Sequence, residues 1–149
     1  SGMAETVAKY QGCLILQHSL GNEKNMMEKV NYKSVVDDVY KDMARQIEYA
    51  KSVGISDIIV DPGIGFDKDL EDSFRIINRI DEFYSLGYPV MLGLSRKSLL
   101  DMPDASNDVK DMFTIALNTL AVEHSVDYIR VHNVKLHKEL MRVYRKELV

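Results

Sequence analysis

Hydrophobic residues gather in four short runs along the chain, at 13–16, 58–60, 89–92 and 128–131. None of the runs alternates cleanly between apolar and polar residues, which is typical of strands that are covered on both faces of a parallel sheet. The centres of successive runs lie 44, 32 and 38 residues apart. Because each gap is long enough for a crossover helix, the pattern predicts parallel strands rather than hairpins.

The gaps between the runs carry apolar residues at helical spacing. The stripes are Val35, Val39, Met43 and Ile47; Leu70, Phe74, Ile77 and Ile80; Val109, Met112, Phe113, Ala116, Leu117 and Leu120; and Leu136, Leu140 and Val143. The first two helices are expected to stop at Gly54 and Gly87, and Asn107 or Asp108 is placed to cap the third. With a short helix over 4–10, the order α-βα-βα-βα-βα indicates an α/β fold with a parallel sheet.

Composition fits a single domain over residues 1–149. The chain has 149 residues, of which 46% are hydrophobic, and a formal net charge of −4. This mild acidity argues against a nucleic-acid partner, and no apolar run approaches the roughly 18 residues of a membrane span. The only cysteine, Cys13, excludes an internal disulfide and a cysteine zinc site, and its place in an apolar run predicts a core residue. Without a signal-peptide pattern, the cytoplasm is the expected location.

The chemically most distinctive groups stand at the ends of the predicted strands: 17–19, 61–66 and 93–98 follow the first three strands, and 130–133 lie at the end of the fourth. Ligands of parallel α/β folds bind at the carboxyl ends of the strands, so these groups are expected to converge on one rim. Random placement would scatter them along the chain. The sequence therefore predicts a ligand site at this rim.

Each of these groups suits a definite kind of ligand. Asp61 can accept two hydrogen bonds from a planar pair of N–H donors, such as the edge of an amidine-like heterocycle. Residues 95–97 combine a hydroxyl with cationic donors and suit an anion. Arg130 and His132 alternate along one strand, so they point to the same face and can form a phosphate clamp.

The same residues also have ordinary structural interpretations. An Asp-Pro pair at Asp61 often only opens a loop, and 95–98 can be a solvated basic loop. A buried Arg130 needs an anionic partner, for which Asp or Glu is the commonest choice. Gln17 and His18 can cap a strand, and His132 can be a satisfied core histidine. His137 is expected on the surface of a helix. Taken together, the four strand-end groups favour the ligand site.

Three motifs closely resemble those of dihydropteroate synthase of folate biosynthesis: DPGIGF at 61–66, GLSRKS at 93–98 and RVHNV at 130–134. They occur in that family's order and at about its spacing, and the Ser-Arg-Lys run separates the family from other pterin-binding barrels. The likeness covers nearly all of this chain but only the C-terminal half of the family's barrel, and a complete (β/α)8 barrel needs about 250 residues. The implied fold is the C-terminal half of a TIM (β/α)8 barrel, with four parallel strands and crossover helices.

The resemblance implies an alkyl-group transferase, in a family that sulfonamides target. It would condense 6-hydroxymethyl-7,8-dihydropterin diphosphate with 4-aminobenzoate, giving 7,8-dihydropteroate and diphosphate. In that scheme the diphosphate leaves first, and the amine attacks the resulting pterin cation. The implied catalytic residues are Lys97, Arg130 and His132. Because the resemblance covers only the second half of the family's barrel, this chain is expected to be inactive alone.

Motif position also implies how the substrates are held. Asp61 would grip the amino edge of the pterin, Lys97 would hydrogen-bond its carbonyl and ring nitrogen, and Gln17 would face it. Arg130 would stack on the pterin and, with His132, hold the diphosphate.

The second substrate and the metal complete what the resemblance implies. Ser95 and Phe66 would help to form the aminobenzoate pocket. Magnesium is expected for the full enzyme, but its Asn ligand belongs to the absent first half, so no metal ligand is predicted in this chain. The sequence departs from the family directly after Phe66, where Asp67, Lys68 and Asp69 stand in place of a usual Gly.

Two other functions remain open at this point. The chain can be a non-catalytic half-barrel module that binds a pterin or a phosphate. A doubly wound nucleotide-binding protein is the weaker option, because no phosphate-cradling glycine loop is present. Since half a barrel leaves sheet edges open, we also predict a homodimer.

Overall fold

The computed structural model describes residues 2–20, 32–95 and 104–147. The elements are α1 (Met3–Lys9), β1 (Leu14–Gln17), α2 (Val35–Ser52), β2 (Ile58–Asp61), α3 (Leu70–Asn78), a 3-10 helix (Ile80–Leu86), β3 (Met91–Leu92), α4 (Asn107–Glu123), β4 (Tyr128–Ile129) and α5 (Val134–Glu147). Within these three stretches, no helix is long and apolar enough to cross a membrane. Each predicted apolar run contains a strand, and the predicted α/β order is confirmed.

The strands pair in parallel and in the order of the chain. β1 pairs with β2 in a register that sets Gln17 beside Asp61, and β3 pairs with β4. A parallel bridge between Val60 and Val90 joins the two pairs. The described strands therefore form two neighbouring two-stranded sheets rather than one regular four-stranded sheet.

The core lies on one face of the strands, against α2, α3 and the 3-10 helix. Its buried side chains include Leu16, Ile58, Val60 and Leu92 from the strands, Val39, Met43 and Ile47 from α2, and Ile76, Ile77, Ile80 and Phe83 beyond it. Burial of a side chain of this size stabilises the fold by roughly 1.5–3 kcal/mol. The opposite face is only partly covered, since Ile15 and Tyr128 are 46% and 47% exposed, whereas Met91 is 8% exposed.

Two helix boundaries differ from the prediction. The second predicted helix changes to a 3-10 helix at Ile80 before it ends at Gly87, whose φ is 83°. Three residues per turn align Ile80 with Phe83, and both are fully buried. The cap of α4 is Ser106 rather than Asn107 or Asp108, because the Ser106 hydroxyl accepts a 3.3 Å hydrogen bond from the Val109 N–H.

The predicted apolar core face of α4 is largely wrong. Met112, Phe113 and Leu120 are 68%, 43% and 38% exposed. The buried residues are Asp111, Thr114, Leu117, Asn118 and Ala121. Polar burial is tolerated there because hydrogen bonds replace water, as where Asn133 Nδ2 donates to Asp111 Oδ2 at 3.0 Å. The apolar stripe and the buried face of α4 are therefore only partly the same.

Two predictions about single residues are also wrong. His137 is buried, because its ring bonds the Asn133 carbonyl through Nδ1 and contacts Asn118 Nδ2 through Nε2, both at 2.9 Å. Cys13 is exposed, because it precedes the first residue of β1 and is not part of the sheet.

Candidate functional site

The last residues of the strands point to the face opposite the core. Successive residues of a strand point to opposite faces, and the core-facing residues near the strand ends are Leu16, Val60 and Leu92. The residues that follow them are Gln17, Asp61 and Gly93. The Arg130 N–H donates to the Leu92 carbonyl at 2.8 Å, which places Arg130 next to Gly93. Gln17, Asp61, Gly93 and Arg130 thus lie in one row across the carboxyl ends of the strands.

The Arg130 guanidinium crosses this row. Its Nη2 donates to Asp61 Oδ2 at 3.1 Å and to Gln17 Oε1 at 3.0 Å. The crossing depends on Gly93, since a Cβ there would lie only 2.7 Å from Nη2. Because Gly93 has no side chain, Arg130 at the end of β4 can reach over it to Asp61 of β2 and Gln17 of β1.

Asp61 lies beneath the surface of the site. Its side chain is 1% exposed, whereas that of Arg130 is 47% exposed. Asp61 Oδ1 also accepts the Gly63 N–H at 2.9 Å. A ligand can therefore reach the Asp61 carboxylate only when side chains that cover it move. The acidic partner considered for Arg130 is present, but it is the acid rather than the arginine that is buried.

Ser95 and His132 join the ends of β3 and β4. The Ser95 hydroxyl accepts the His132 backbone N–H at 3.1 Å and lies 2.9 Å from His132 Nδ1. Ser95 is 6% exposed, so this contact is shielded from water. The pairing fixes the His132 ring through Nδ1 and leaves Nε2 as the ring nitrogen that Ser95 does not engage.

These side chains surround one pocket of about 340 Å³, a volume within the usual range of small-molecule sites. Its lining includes Gln17, Phe66, Gly93, Ser95, Arg130 and His132. Five residues predicted to bind substrate are thus brought together, and Asp61 is attached to them through Arg130. Lys97 lies outside the described residues, as do its neighbours at 96 and 98.

No metal centre is visible in the described stretches of the chain, which contain no group of three or more His, Cys, Asp or Glu side chains able to hold an ion. The carboxylate of the site, Asp61, is already paired with the Arg130 cation. The described residues therefore do not fit a magnesium site, and the metal ligand that the resemblance implies stays a prediction.

A buried ionic cluster lies beside the pocket, and the sequence patterns do not predict it. Lys68 and Asp67 are almost fully buried and form a 2.7 Å ion pair, and Lys68 Nζ lies 3.0 Å from Nδ1 of the buried His18. Burial, reinforced by the Lys68 charge, lowers the pKa of His18 to about 4, so its imidazole is neutral near pH 7. The only sequence signal was the Asp-Lys-Asp departure after Phe66.

The two loops that carry these groups approach each other closely. Gly63 has a φ of 73°, and a Cβ at this residue would lie 1.9 Å from the His18 carbonyl oxygen. The His18 N–H in turn donates to the Asp61 carbonyl at 2.8 Å. Backbone contact, permitted by glycine, therefore holds the loop after β1 against the loop after β2.

The curated relatives confirm the resemblance to dihydropteroate synthases. The chain is 33% identical to the dihydropteroate synthase of Clostridium beijerinckii, over 89% of this chain and 48% of the relative. It is 31% identical to that of Escherichia coli K12, over 99% of this chain and 53% of the relative. The chain thus spans about half the length of the curated relatives it matches.

Solved structures agree with this relationship. A dihydropteroate synthase from Thermus thermophilus in complex with 4-aminobenzoate superposes with a TM-score of 0.88 at 30% identity, over 97% of this chain and 60% of that one. A Xanthomonas albilineans dihydropteroate synthase gives 0.89 at 25% identity, over 99% and 54%. A family described as pterin binding enzyme matches residues 1–132, and the chain belongs to this family.

Proposed function

We propose that this chain is the C-terminal half of a dihydropteroate synthase, which condenses 6-hydroxymethyl-7,8-dihydropterin diphosphate with 4-aminobenzoate. The observation that carries the proposal is the single row in which Arg130 joins Asp61 and Gln17, beside the Ser95–His132 pair. A buried carboxylate and an exposed guanidinium in one site provide separate partners for a planar N–H edge and for a diphosphate.

Substrate binding would exchange the partners of the Asp61–Arg130 pair. The amino edge of the pterin takes the place of Arg130 at Asp61, and the pterin face and diphosphate take the place of Asp61 at Arg130. Because each buried or partly buried charge keeps a partner throughout, the exchange avoids the cost of an isolated buried ion. Lys97 contributes a further hydrogen bond to the pterin.

Residues of the same site act in the reaction itself. The bond between the pterin methylene carbon and the diphosphate oxygen breaks, and its electron pair leaves with the diphosphate. Arg130 and His132 stabilise the charge that develops on this leaving group. The lone pair of the 4-aminobenzoate amine then forms the new C–N bond, and the amine loses a proton. Ser95 and Phe66 help to hold that second substrate.

The described strands would form half of a TIM (β/α)8 barrel in the full-length enzyme. Parallel pairing in chain order supports this proposal, as does coverage of about half of each related structure. The complete barrel would supply the metal ligand and the remaining pterin contacts. A cytoplasmic location stays a prediction.

A homodimer is proposed on the basis of the exposed apolar residues of α4. Met112 and Phe113 lie on its surface, and large exposed apolar patches usually mark an interface. Sedimentation of the full-length protein is expected to give the mass of two chains. A mass of one chain at every concentration would contradict the dimer.

Turnover of two variants of the full-length protein tests the proposed function. Asp61→Ala and Lys97→Ala should each lower the rate of 7,8-dihydropteroate formation by at least about 100-fold, since each removes a charged contact to the pterin. Glu71→Gln, a change in an exposed ion pair of α3, is the matched control. Normal turnover in both site variants would exclude the assignment. Pterin binding without turnover by the wild type would instead favour the non-catalytic module.

A further inference from the structure

The Lys68 ammonium group is an internal cation that ties backbone to side chains. Its side chain is 0% exposed, and Nζ lies 2.7 Å from Asp67 Oδ1 and 3.0 Å from His18 Nδ1. It also donates to the carbonyl oxygens of Gly63 and Phe66, each at 3.2 Å. These four atoms can accept hydrogen bonds, one more than the three N–H groups of an ammonium group, so each N–H of charged Lys68 has a partner.

Asp67 extends the same connection to the segment between β1 and α2. Besides Lys68, its carboxylate accepts the Leu20 N–H at 2.6 Å and the Tyr32 hydroxyl at 3.0 Å. The Asp67 backbone has a φ of 48°, which is unusual for a residue other than glycine. A residue in this region persists when its surroundings hold it there, and here the three bonded partners do so.

His18, which contacts Lys68, connects the cluster to α2. Its neutral ring accepts from Lys68 at Nδ1, which leaves the proton on Nε2, 3.6 Å from Asp42 Oδ2. The loop after β1, the loop after β2 and α2 are therefore joined through one buried ammonium group and one buried carboxylate.

This cluster is hydrogen-bonded to the backbone that carries the wall of the pocket. Phe66 lines the pocket, its carbonyl is bound by Lys68, and its N–H donates to the Gly63 carbonyl at 3.2 Å. Both carbonyls of this turn thus face the ammonium group. Loss of the cation would leave two carbonyls and a carboxylate competing for other donors, and the turn would have to move.

We propose that Asp67 and Lys68 are positioning residues, which hold Phe66 in place for the aromatic amine by fastening the loop after β2 to the loop after β1. The inference rests on the proposed function, because it assigns the Phe66 side of the pocket to 4-aminobenzoate. Neither residue is expected to touch a substrate, since neither lines the pocket and the Lys68 ammonium group is bound to Asp67 and to backbone carbonyls.

Steady-state kinetics of the full-length protein tests this inference with Lys68→Met, which keeps the length of the side chain without its charge, and Asp67→Asn. Asparagine tolerates the left-handed backbone, so the second variant is expected to fold even if the first does not. Each should raise KM for 4-aminobenzoate about tenfold, because small displacements of a substrate wall have large effects. KM for the pterin diphosphate should stay within about twofold.

The controls separate this role from general stability and from the proposed function. Glu71→Gln should change neither KM, since Glu71 belongs to an exposed pair. Lower melting temperatures with unchanged KM for 4-aminobenzoate in the site variants would overturn the inference and leave the proposed function intact. An inactive wild-type enzyme would instead overturn the proposed function, on which the inference rests.

Discussion

Replacement of Gly63 by alanine is expected to destabilise the protein by roughly 3 kcal/mol or more. The new Cβ would lie 1.9 Å from the His18 carbonyl oxygen, and this neighbour is backbone that cannot rotate away. The φ of 73° adds about 1–2 kcal/mol for a residue with a side chain. To relieve the contact, the two loops must separate and stretch the hydrogen bond between His18 and Asp61.

Gly54→Ala is the matched control for backbone conformation. Gly54 has a φ of 93°, but nothing lies within 4 Å of the point that an added Cβ would occupy. Its replacement should therefore cost only about 1–2 kcal/mol. Urea unfolding of the two variants measures the difference, and equal losses of stability would show that the loops are not in close contact.

Replacement of Gly93 by alanine is expected to weaken binding of the pterin diphosphate about 10- to 100-fold. The added Cβ would lie 2.7 Å from Arg130 Nη2, but Arg130 is a flexible side chain that can move aside. Its guanidinium would then leave Asp61 and the centre of the pocket. Calorimetric titration of the full-length protein measures the change in affinity.

Gly87→Ala serves as the control for this second prediction. Unlike Gly93, Gly87 has open space around the missing side chain and a positive φ. It follows the 3-10 helix and does not line the pocket. Its affinity for the pterin diphosphate should equal that of the wild type. Wild-type affinity in Gly93→Ala would mean that the position of Arg130 over Gly93 has no role in binding.

The convergence of the strand-end residues on one pocket could be predicted because the relevant patterns are local. Short apolar runs mark the strands, and the carboxyl ends of parallel strands meet at one edge whatever the details of packing. That rule alone brings Gln17, Ser95, Arg130 and His132 together. The residues of the motif resemblance add Phe66, which the structure places in the same pocket.

The contacts between these residues could not be predicted, because they depend on register and close packing. Arg130 and Asp61 are 69 residues apart in the sequence. They are in contact because Gly93, which lies between them, has no side chain. The Asp67–Lys68 cluster depends likewise on partners far along the chain. Periodicity cannot show which charged residues will find buried partners.

The buried face of α4 illustrates the same difficulty for the fold. A stripe of apolar residues normally predicts the core side of a helix. In α4, hydrogen bonds such as that between Asn133 and Asp111 make burial of polar residues possible, while Met112 and Phe113 remain exposed. Only the tertiary partners, and not the helix sequence, determine this choice.

Titration of the full-length protein with 6-hydroxymethyl-7,8-dihydropterin diphosphate most directly tests whether the strand-end pocket is a pterin site. The wild type should bind, and Asp61→Asn should bind about 10- to 100-fold more weakly, because it loses the charge while it keeps the shape of the side chain. Glu71→Gln should bind like the wild type. Equal affinity in Asp61→Asn and the wild type, or no binding by either, would contradict the assignment of this pocket.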